Sequence, residues 1–315
     1  MLTFGPVPSR RLGSSLGINN IPPKRCSYSC VYCQVGRTPS TEIEPRSFYS
    51  PSAITEAVAQ HLERAHIAGQ RVDYLTFVPD GEPTLDMHLG ESIEQLKQFS
   101  IPIAVISNGS LCWKEDVRDA LSQADWVSVK VDAVDEPPWR RINRAHDQLR
   151  LQAILDGIVR FTTQFDGQLA TETMLVKDIN DGADAVESVA DFLAELEPAV
   201  AFLAVATRPP AEEWVLPASE EAINRAYQIL ARRLACVEYL IGYEGDAFAS
   251  TGDPERDLLA ITSVHPIREE ALVHFIEEAS VGWDLVRRLT SSGELKRVEF
   301  DGKQFYVRQL RKQPA

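Results

Sequence analysis

The sequence has no long hydrophobic run, and this absence restricts the class of protein that it can encode. No stretch of about 18 apolar residues occurs, so we expect no membrane span. The opening MLTFGPVPSRRLG has no apolar core of a signal peptide, so we expect a cytoplasmic protein. Positive charge is also scarce. The sequence has 32 Lys and Arg residues but 46 Asp and Glu residues, which gives a net charge of −14. Such a surface repels phosphate backbones, so a nucleic-acid partner would need a local basic patch.

Cysteine is rare as well, with five residues among 315, an odd number. In a chain without an export signal, this count does not indicate a disulfide framework. Cys26, Cys30 and Cys33 nevertheless lie within eight residues of one another, and this clustering favours metal binding. Cys112 and Cys236 are far apart in sequence, and we interpret them as inert buried thiols.

Strands and helices alternate along most of the chain. Runs such as DYLTFVP, IPIAVIS and DWVSVKV predict buried strands, and segments such as SAITEAVAQHLERAHIAG have helical spacing. Parallel strands joined by helices form a sheet that is covered on both faces. About seven such strands predict an α/β fold, a partial (β/α) barrel of about six or seven parallel strands over residues 1–250.

The pattern changes after residue 250. Residues 255–312 are predicted to form helices and then two strands joined at Asp301-Gly302, a dipeptide typical of hairpin turns. This order predicts a small winged helix-turn-helix-like domain. Its helices carry Arg268, Arg287 and Arg288 but also several glutamates, so we favour docking of a protein or peptide over DNA binding. A nucleic-acid-associated regulator is the alternative for this segment.

The spacing C-x3-C-x2-C provides three thiolates and leaves one coordination position open. On zinc, an open position supplies a Lewis acid. On a [4Fe–4S] cluster, three cysteines leave one iron available to a small molecule. A zinc-dependent enzyme, or a structural zinc site completed by a remote ligand, is the alternative that the spacing leaves open.

This motif, on a loop after the first strand of a β/α barrel, resembles the signature of the radical S-adenosylmethionine (SAM) superfamily. Tyr32 in CVYC supplies the aromatic residue before the third cysteine. The wider pattern, GPVPSRRLGSSLGINNIPPKRC with DGEPTL, SNG, INRAH, NDG and RPPAE, resembles the branch related to the tRNA wyosine-type synthases. Characterised members of that branch act on a modified guanosine in tRNA and carry a second cluster, for which this sequence has no upstream cysteines. The resemblance implies SAM and a [4Fe–4S] cluster held by Cys26, Cys30 and Cys33.

The resemblance also implies residues that bind SAM. The segment PDGEPTL, residues 79–85, is similar to the GGEP motif that holds the SAM amino group in the superfamily, with Asp80 in place of the first glycine. This likeness assigns Gly81, Glu82 and Pro83 to cofactor binding. A plain turn is the alternative reading of these letters.

Polar residues on the later strands complete the predicted cofactor site. Asn108 follows the third strand, and Lys130 and Asp132 share one face of the fourth, where the superfamily contacts the SAM ribose or the substrate. A Lys130–Asp132 pair at the barrel mouth is the alternative. Glu172 is a carboxylate among apolar residues. A buried carboxylate needs a partner or a ligand, and SAM is a suitable ligand. Arg208 after the sixth strand suits a bidentate contact with a carboxylate or, alternatively, a salt bridge at the rim.

The resemblance finally implies an oxidoreductase-type reaction and its partners. A flavodoxin or ferredoxin would donate an electron, SAM would be cleaved to methionine and a 5′-deoxyadenosyl radical, and the radical would take hydrogen from an unidentified protein, peptide or RNA. A group of basic residues lies near the cysteines in sequence and forms either a collar that docks the electron donor or a solvated rim. Its members are Arg10, Arg11, Lys24, Arg25 and Arg37.

Overall fold

The barrel sheet contains the predicted parallel strands and one further strand at its edge. The computed structural model describes residues 2–241, 253–264, 266–300 and 302–309. Eight strands form this sheet in chain order: β1 (Thr3–Ser9), β2 (Gly13–Ile18), β3 (Tyr74–Phe77), β4 (Ile103–Ser107), β5 (Trp126–Lys130), β6 (Gln168–Leu175), β7 (Val200–Val205) and β8 (Val237–Leu240). Strands β2 to β8 are parallel neighbours, whereas β1 pairs antiparallel with β2. Because β1 and β8 do not pair among the described residues, the barrel is partial, as predicted.

Helices cover the outer face of the sheet. They are α1 (Pro51–Ile67), α2 (Leu89–Leu96), α3 (Glu115–Leu121), α4 (Glu136–Asn143), α5 (Leu151–Thr162), α6 (Ala183–Leu196) and α7 (Glu220–Ala231). The first of them begins where its sequence dictates, since the Ser50 hydroxyl accepts a hydrogen bond from the N–H of Ala53 and Pro51 occupies the first turn. Outward-facing strand residues such as Leu75 and Val127 are fully buried beneath these helices. No helix in the described part of the chain is long and apolar enough to cross a membrane.

The sequence does not predict β1, because TFGPVPS holds two prolines and a glycine, which rarely occur inside a sheet. As an edge strand, β1 pairs only with β2, and a proline without an N–H group is tolerated there. The register shifts between Phe4 and Val7, and both side chains pack against Val78. The edge strand therefore adds apolar side chains to the core beside β3.

The turn between β1 and β2 lies at the end of the barrel where the parallel strands begin. Leu12 of this turn packs with Trp126, Phe202 and Leu240, so it fills the bottom of the barrel. Arg11 of the same turn extends into the barrel and forms an ion pair with Glu172 on β6. The turn therefore brings a cation to the interior of the sheet.

Gly17 on β2 lies directly under the Phe4 ring, and a Cβ atom there would overlap the ring. Gly17→Ala is therefore expected to lower the free energy of unfolding by about 1–3 kcal/mol, a typical result of overpacking. Combining it with Phe4→Ala should cost less than the sum of the two single changes. Anaerobic urea unfolding followed by circular dichroism measures both quantities. Strictly additive losses would show that the two residues do not compete for the same space.

The C-terminal part has its own hydrophobic core and contains the predicted helices followed by two strands, together with a two-residue strand, Ile267–Arg268, that the sequence did not predict. Asp301 of the predicted turn lies outside the described residues, whereas the two predicted strands, Leu295–Phe300 and Lys303–Arg308, pair antiparallel. The predicted end of the last barrel strand and the boundary between the two predicted domains also lie outside them, so the domain division stays a prediction. The elements are α8 (Pro254–Val264), β9 (Ile267–Arg268), α9 (Glu269–Glu278), α10 (Trp283–Ser291), β10 (Leu295–Phe300) and β11 (Lys303–Arg308).

The hairpin contacts the mouth of the barrel, at the end of the strands that carries the cysteine loop. Phe300, the last residue of β10, packs against an apolar group that we call the mouth cluster: Val31, Tyr32, Ile142, Val176, Ala206 and Val215. Helix α8 contacts β1 at the open edge of the sheet. The C-terminal part is thus placed beside the barrel opening.

Candidate cluster and cofactor site

The loop between β2 and α1 carries the three clustered cysteines. Cys26, Cys30 and Cys33 all line a cavity of about 320 Å³ inside the barrel. The N–H of Cys33 donates to the carbonyl of Cys30 at 3.1 Å, which places the last two cysteines on one turn. Burial raises the pKa of Cys30 to about 12 and raises the pKa of Cys26 well above its usual range. These thiols therefore need a nearby positive charge, such as that of a metal, to be ionised.

Backbone hydrogen bonds from several elements fix the cysteine loop. The N–H groups of Ser29 and Val31 donate to the carbonyls of Asn143 and Ile142 at the end of α4, at 3.0 and 2.9 Å. On the other side, the N–H of Glu82 donates to the carbonyl of Arg25 at 2.9 Å. The loop is therefore held rigidly between α4 and the segment that follows β3.

The DGEP segment after β3 meets the cysteine loop at close range. Gly81 lies against the carbonyl of Arg25, and any Cβ atom at this position would overlap that backbone. Gly81 and Glu82 line the cavity, whereas Pro83 begins a short 3-10 helix, Pro83–Leu85, and does not line it. Glycine is therefore required here by packing, which the sequence pattern alone does not reveal.

A buried ion network lies deeper in the same cavity. Glu172 accepts hydrogen bonds from the Lys130 ammonium, at 2.5 Å, and from the Arg11 guanidinium. Burial alone would raise the pKa of Glu172, but Lys130 and Arg11 outweigh it and lower that pKa to about 2. The Lys130 ammonium also lies 5.2 Å from the centre of the Tyr32 ring, so the network contacts the cysteine loop.

Asp132 lies behind the cavity wall and supports the cysteine loop. Its carboxylate accepts hydrogen bonds from the Tyr32 hydroxyl at 2.5 Å, from the Asn143 amide at 2.8 Å and from the N–H of Met174 at 2.9 Å. Asp132 does not line the cavity, and the ion-pair partner of Lys130 is Glu172. The alternative of a Lys130–Asp132 pair at the mouth is therefore not what the structure shows.

The arginines around the cysteine loop differ in placement. Arg208 lines the cavity and donates to the Gln34 side chain at 3.0 Å, next to Cys33. Arg37 pairs at 2.7 Å with Glu212, which also accepts from Arg144. Arg11 points into the barrel, because its turn lies at the bottom of the sheet, so it is not part of a surface collar.

A family model for the radical SAM superfamily matches residues 20–193 of this chain. The matched span contains the three cysteines, the DGEP segment, Asn108, Lys130 and Glu172. The chain belongs to the radical SAM superfamily. The resemblance deduced from C-x3-C-x2-C and its position after the first parallel strand is thereby confirmed.

Individual relatives agree with this membership. The radical SAM chain is 44% identical over 312 residues to UPF0026 protein MJ1312 of Methanocaldococcus jannaschii, across 98% of this chain and 97% of that protein. A UPF0026 protein of Helicobacter pylori is 34% identical over 66% of this chain and 67% of its own length. Among solved structures, TYW1 with a lysine-pyruvate adduct bound has a TM-score of 0.55 at 18% identity, over 71% of this chain and 76% of that chain. At this identity the last likeness concerns the fold alone.

Radical SAM proteins use a [4Fe–4S] cluster and SAM, and the residues present fit both groups. The thiols of Cys26, Cys30 and Cys33 face one cavity and would hold the cluster there, and the polar residues that line the same cavity would be available to contact SAM. Among the described residues, no group of three His, Cys, Asp or Glu side chains is arranged to hold a single metal ion. Neither Cys112 nor Cys236 lines the cavity. Cys112 is buried, as predicted, and burial raises its pKa to about 12, whereas Cys236 is only partly buried, so the prediction of a buried thiol is wrong for Cys236.

Two side-chain amides point at the sulfur atoms of this radical SAM site. Asn108 donates to Sγ of Cys26 and Asn143 to Sγ of Cys30, each at 3.5 Å. Sequence reasoning selected Asn108 but missed Asn143, which lies at the end of α4, a helix that the sequence pattern EPPWRRIN did not predict. Hydrogen bonds to cluster sulfurs stabilise the more negative, reduced state.

Asn143→Ala is therefore expected to lower the reduction potential of the cluster. Loss of one hydrogen bond worth about 1 kcal/mol corresponds to a shift of roughly 40 mV for a one-electron couple. An EPR-monitored redox titration measures the shift, and Asn224→Ala, on the exposed surface of α7, should leave the potential unchanged. An unchanged or higher potential in Asn143→Ala would contradict this role of the amide.

Proposed function

We propose that this protein is a radical SAM enzyme in which the cluster and SAM share the barrel cavity. Cys26, Cys30 and Cys33 would hold the cluster, which would supply the electron for reductive cleavage of SAM and so allow a hydrogen atom to be removed from the substrate. The observation that carries the proposal is the convergence of three thiols and the DGEP segment on one cavity. The cavity volume of about 320 Å³ lies at the lower end of the range of ligand-binding pockets.

The protein residues position the cofactors and keep water away. The cysteine loop is fixed by α4 and the DGEP segment, and the cavity floor is closed by Leu12 and the Arg11–Glu172–Lys130 network. We assign the predicted cofactor-binding residues that line the cavity to contacts with SAM or substrate; they are Gly81, Glu82, Asn108, Lys130, Glu172 and Arg208. Pro83 and Asp132 support this wall from behind.

The mouth of the barrel is the entrance that we propose for the substrate. Phe300 of the C-terminal hairpin packs against the mouth cluster, which includes Val31 and Tyr32 between the second and third cysteines. A substrate held by the C-terminal part would therefore lie close to the cavity. An external electron carrier such as flavodoxin or ferredoxin would approach the outer side of the cysteine loop, where the Arg37 side chain is 68% exposed.

An anaerobic assay with SAM and dithionite tests the proposal. The wild-type protein should release 5′-deoxyadenosine and methionine, slowly without substrate and faster with the correct one. Iron-loaded protein that binds no SAM and yields no 5′-deoxyadenosine would contradict it. A colourless protein with one tightly bound zinc per chain would favour the alternative, a zinc-dependent protein on a β/α scaffold.

A further inference from the structure

The cations around the cysteine loop differ in whether a carboxylate neutralises them. Arg25 forms an ion pair with Glu42, and Arg37 pairs with Glu212 at 2.7 Å. Lys24, by contrast, forms no ion pair with any residue in the described part of the chain, and the partner of its ammonium is a backbone carbonyl. Lys24 is partly buried and lines the cavity together with the three cysteines. It therefore brings a positive charge into the cavity without a carboxylate bound to it.

The backbone holds Lys24 in place across the cysteine loop. Its φ of 66° lies in the left-handed region, which is uncommon for a residue other than glycine. The N–H of Lys24 donates to the carbonyl of Asp80 at 2.7 Å and fixes this conformation. The ammonium donates to the carbonyl of Gly36 at 3.0 Å, and the N–H of Gly36 donates to the carbonyl of Cys33 at 3.1 Å. The side chain thus extends from the start of the loop to the turn that follows Cys33.

The groups that can place negative charge near this ammonium are two cysteines and one carboxyl group. Burial lowers the pKa of Lys24, whereas Cys33, Asp80 and Cys26 act in the opposite direction, with Cys33 named first among them by strength. Asp80 lines the same cavity, and burial raises its pKa to about 7. The ammonium therefore lies within electrostatic reach of two of the three thiols that would hold the cluster.

A cation at this position matters for the entry of an electron. Reduction adds negative charge to a site that three thiolates already make negative. Such a charge is costly in a cavity that is largely removed from water, and the net charge of −14 on the whole chain opposes it further. A cation inside the cavity offsets this cost, because charges interact more strongly in the protein interior than in water. Net charge around an iron–sulfur cluster is one of the factors that set its reduction potential.

We propose that the Lys24 ammonium supplies the positive charge that stabilises the reduced state of the cluster, acting on it from the side of Cys26 and Cys33. This inference rests on the proposed function, because it requires a [4Fe–4S] cluster on the three cysteines, although it does not require SAM. The positive charge of Lys24, and not its hydrogen bond to Gly36, has this effect. Arginine should therefore be able to replace Lys24, whereas a neutral side chain of similar length should not.

An EPR-monitored redox titration of the anaerobically reconstituted protein, without SAM, tests the inference. Lys24→Gln is expected to lower the equilibrium constant for one-electron reduction about tenfold, a fall of ~59 mV in the potential. Lys24→Met, which also lacks the hydrogen-bond donor, should show the same fall. All these side chains have a Cβ atom, so the strain of the left-handed backbone is common to them.

Two control variants and one change of conditions complete the experiment. Lys24→Arg keeps the charge and should keep the equilibrium constant within about twofold of the wild type. Arg25→Gln removes the neighbouring cation, which Glu42 already neutralises, and should stay within the same limit. The fall in Lys24→Gln should persist at an ionic strength of about 1 M, because salt screens buried charges much less than exposed ones.

The possible failures are distinguishable. If the wild type acquires no [4Fe–4S] cluster, the proposed function fails and the inference fails with it. If the wild type has the cluster and Lys24→Gln has an unchanged potential, the inference alone is wrong, and a fall in Lys24→Met only would assign the effect to the hydrogen bond. An equal fall in Lys24→Arg, a fall that disappears at high salt, or loss of iron from both neutral variants would also overturn it.

Discussion

Cys30→Ala is expected to abolish the iron–sulfur cluster and, with it, the formation of 5′-deoxyadenosine. The wild-type protein should contain about four irons per chain after anaerobic reconstitution, and the variant should contain close to none. Cys30 is the central member of the three thiols that line the cavity, and it receives the Asn143 hydrogen bond, so its loss removes a ligand that no neighbour can replace. Iron analysis, the visible absorption spectrum and product analysis measure the effect.

Cys236→Ala is the matched control for this substitution. Cys236 is also a free and partly buried cysteine, but it lies just before β8 and does not line the cavity. The control should keep its iron content, its colour and its product. A Cys30→Ala protein that retains the iron content and spectrum of the wild type would show that the cluster is held elsewhere.

Glu172→Ala is expected to have the largest effect on stability among the cavity residues. The change leaves the Arg11 guanidinium and the Lys130 ammonium in the barrel without the carboxylate that both of them contact. Removing one partner from a buried ionic network typically lowers the free energy of unfolding by about 3–5 kcal/mol. Urea unfolding under anaerobic conditions measures the loss, which is a large part of the stability of an ordinary domain.

Two further sets of variants distinguish the effect of this buried network on stability from the effect of an ordinary surface ion pair. Asp284 forms an ion pair with Arg287 in which its side chain is 92% exposed, so Asp284→Ala should change the stability by less than about 1 kcal/mol. Replacing Glu172 and Lys130 together by Leu and Met should cost less than the two single losses combined, because fewer charges remain unpaired. A Glu172→Ala protein as stable as the wild type would contradict the burial of this network.

The contribution of Glu172 to stability should also depend on pH. Its pKa is about 2 in the folded protein, below the value of about 4.3 expected in the unfolded chain. Because the folded value is the lower one, the stabilisation is complete above the unfolded pKa and is lost as the pH falls toward about 2. The difference in stability between the wild type and Glu172→Gln should therefore narrow over this range. A constant difference down to about pH 2 would contradict the assigned ion pairs.

Local sequence patterns predicted the parts of the molecule that depend on local chemistry. Buried strand runs and helical spacing identified the seven parallel strands, and the cysteine spacing identified the family. The edge strand β1 was missed because its prolines are excluded from sheet interiors but are tolerated at an edge. Helix α4 was missed because EPPWRRIN is short and has two consecutive prolines after its first residue, and prolines are acceptable in a helix only in its first turn.

Contacts between distant residues could not be read from the sequence. Arg11 and Glu172 are 161 positions apart, and only the folding of the β1–β2 turn under the barrel brings them together. Asn143 reaches Cys30 from a helix 113 positions away. The hydrogen bonds to Glu82 likewise come in part from Ser107 at the end of β4 and from Asn108 directly after it, which the letters DGEP do not contain.

The most direct test of the central claim is EPR of the anaerobically reconstituted, dithionite-reduced protein with and without SAM. The claim is that three cysteines on the loop after β2 hold a [4Fe–4S] cluster with one iron open to SAM. A reduced cluster signal that changes shape on addition of SAM, and does not change with methylthioadenosine, is the expected result. A cluster signal that SAM leaves unaltered, or a protein that acquires no cluster, would contradict it.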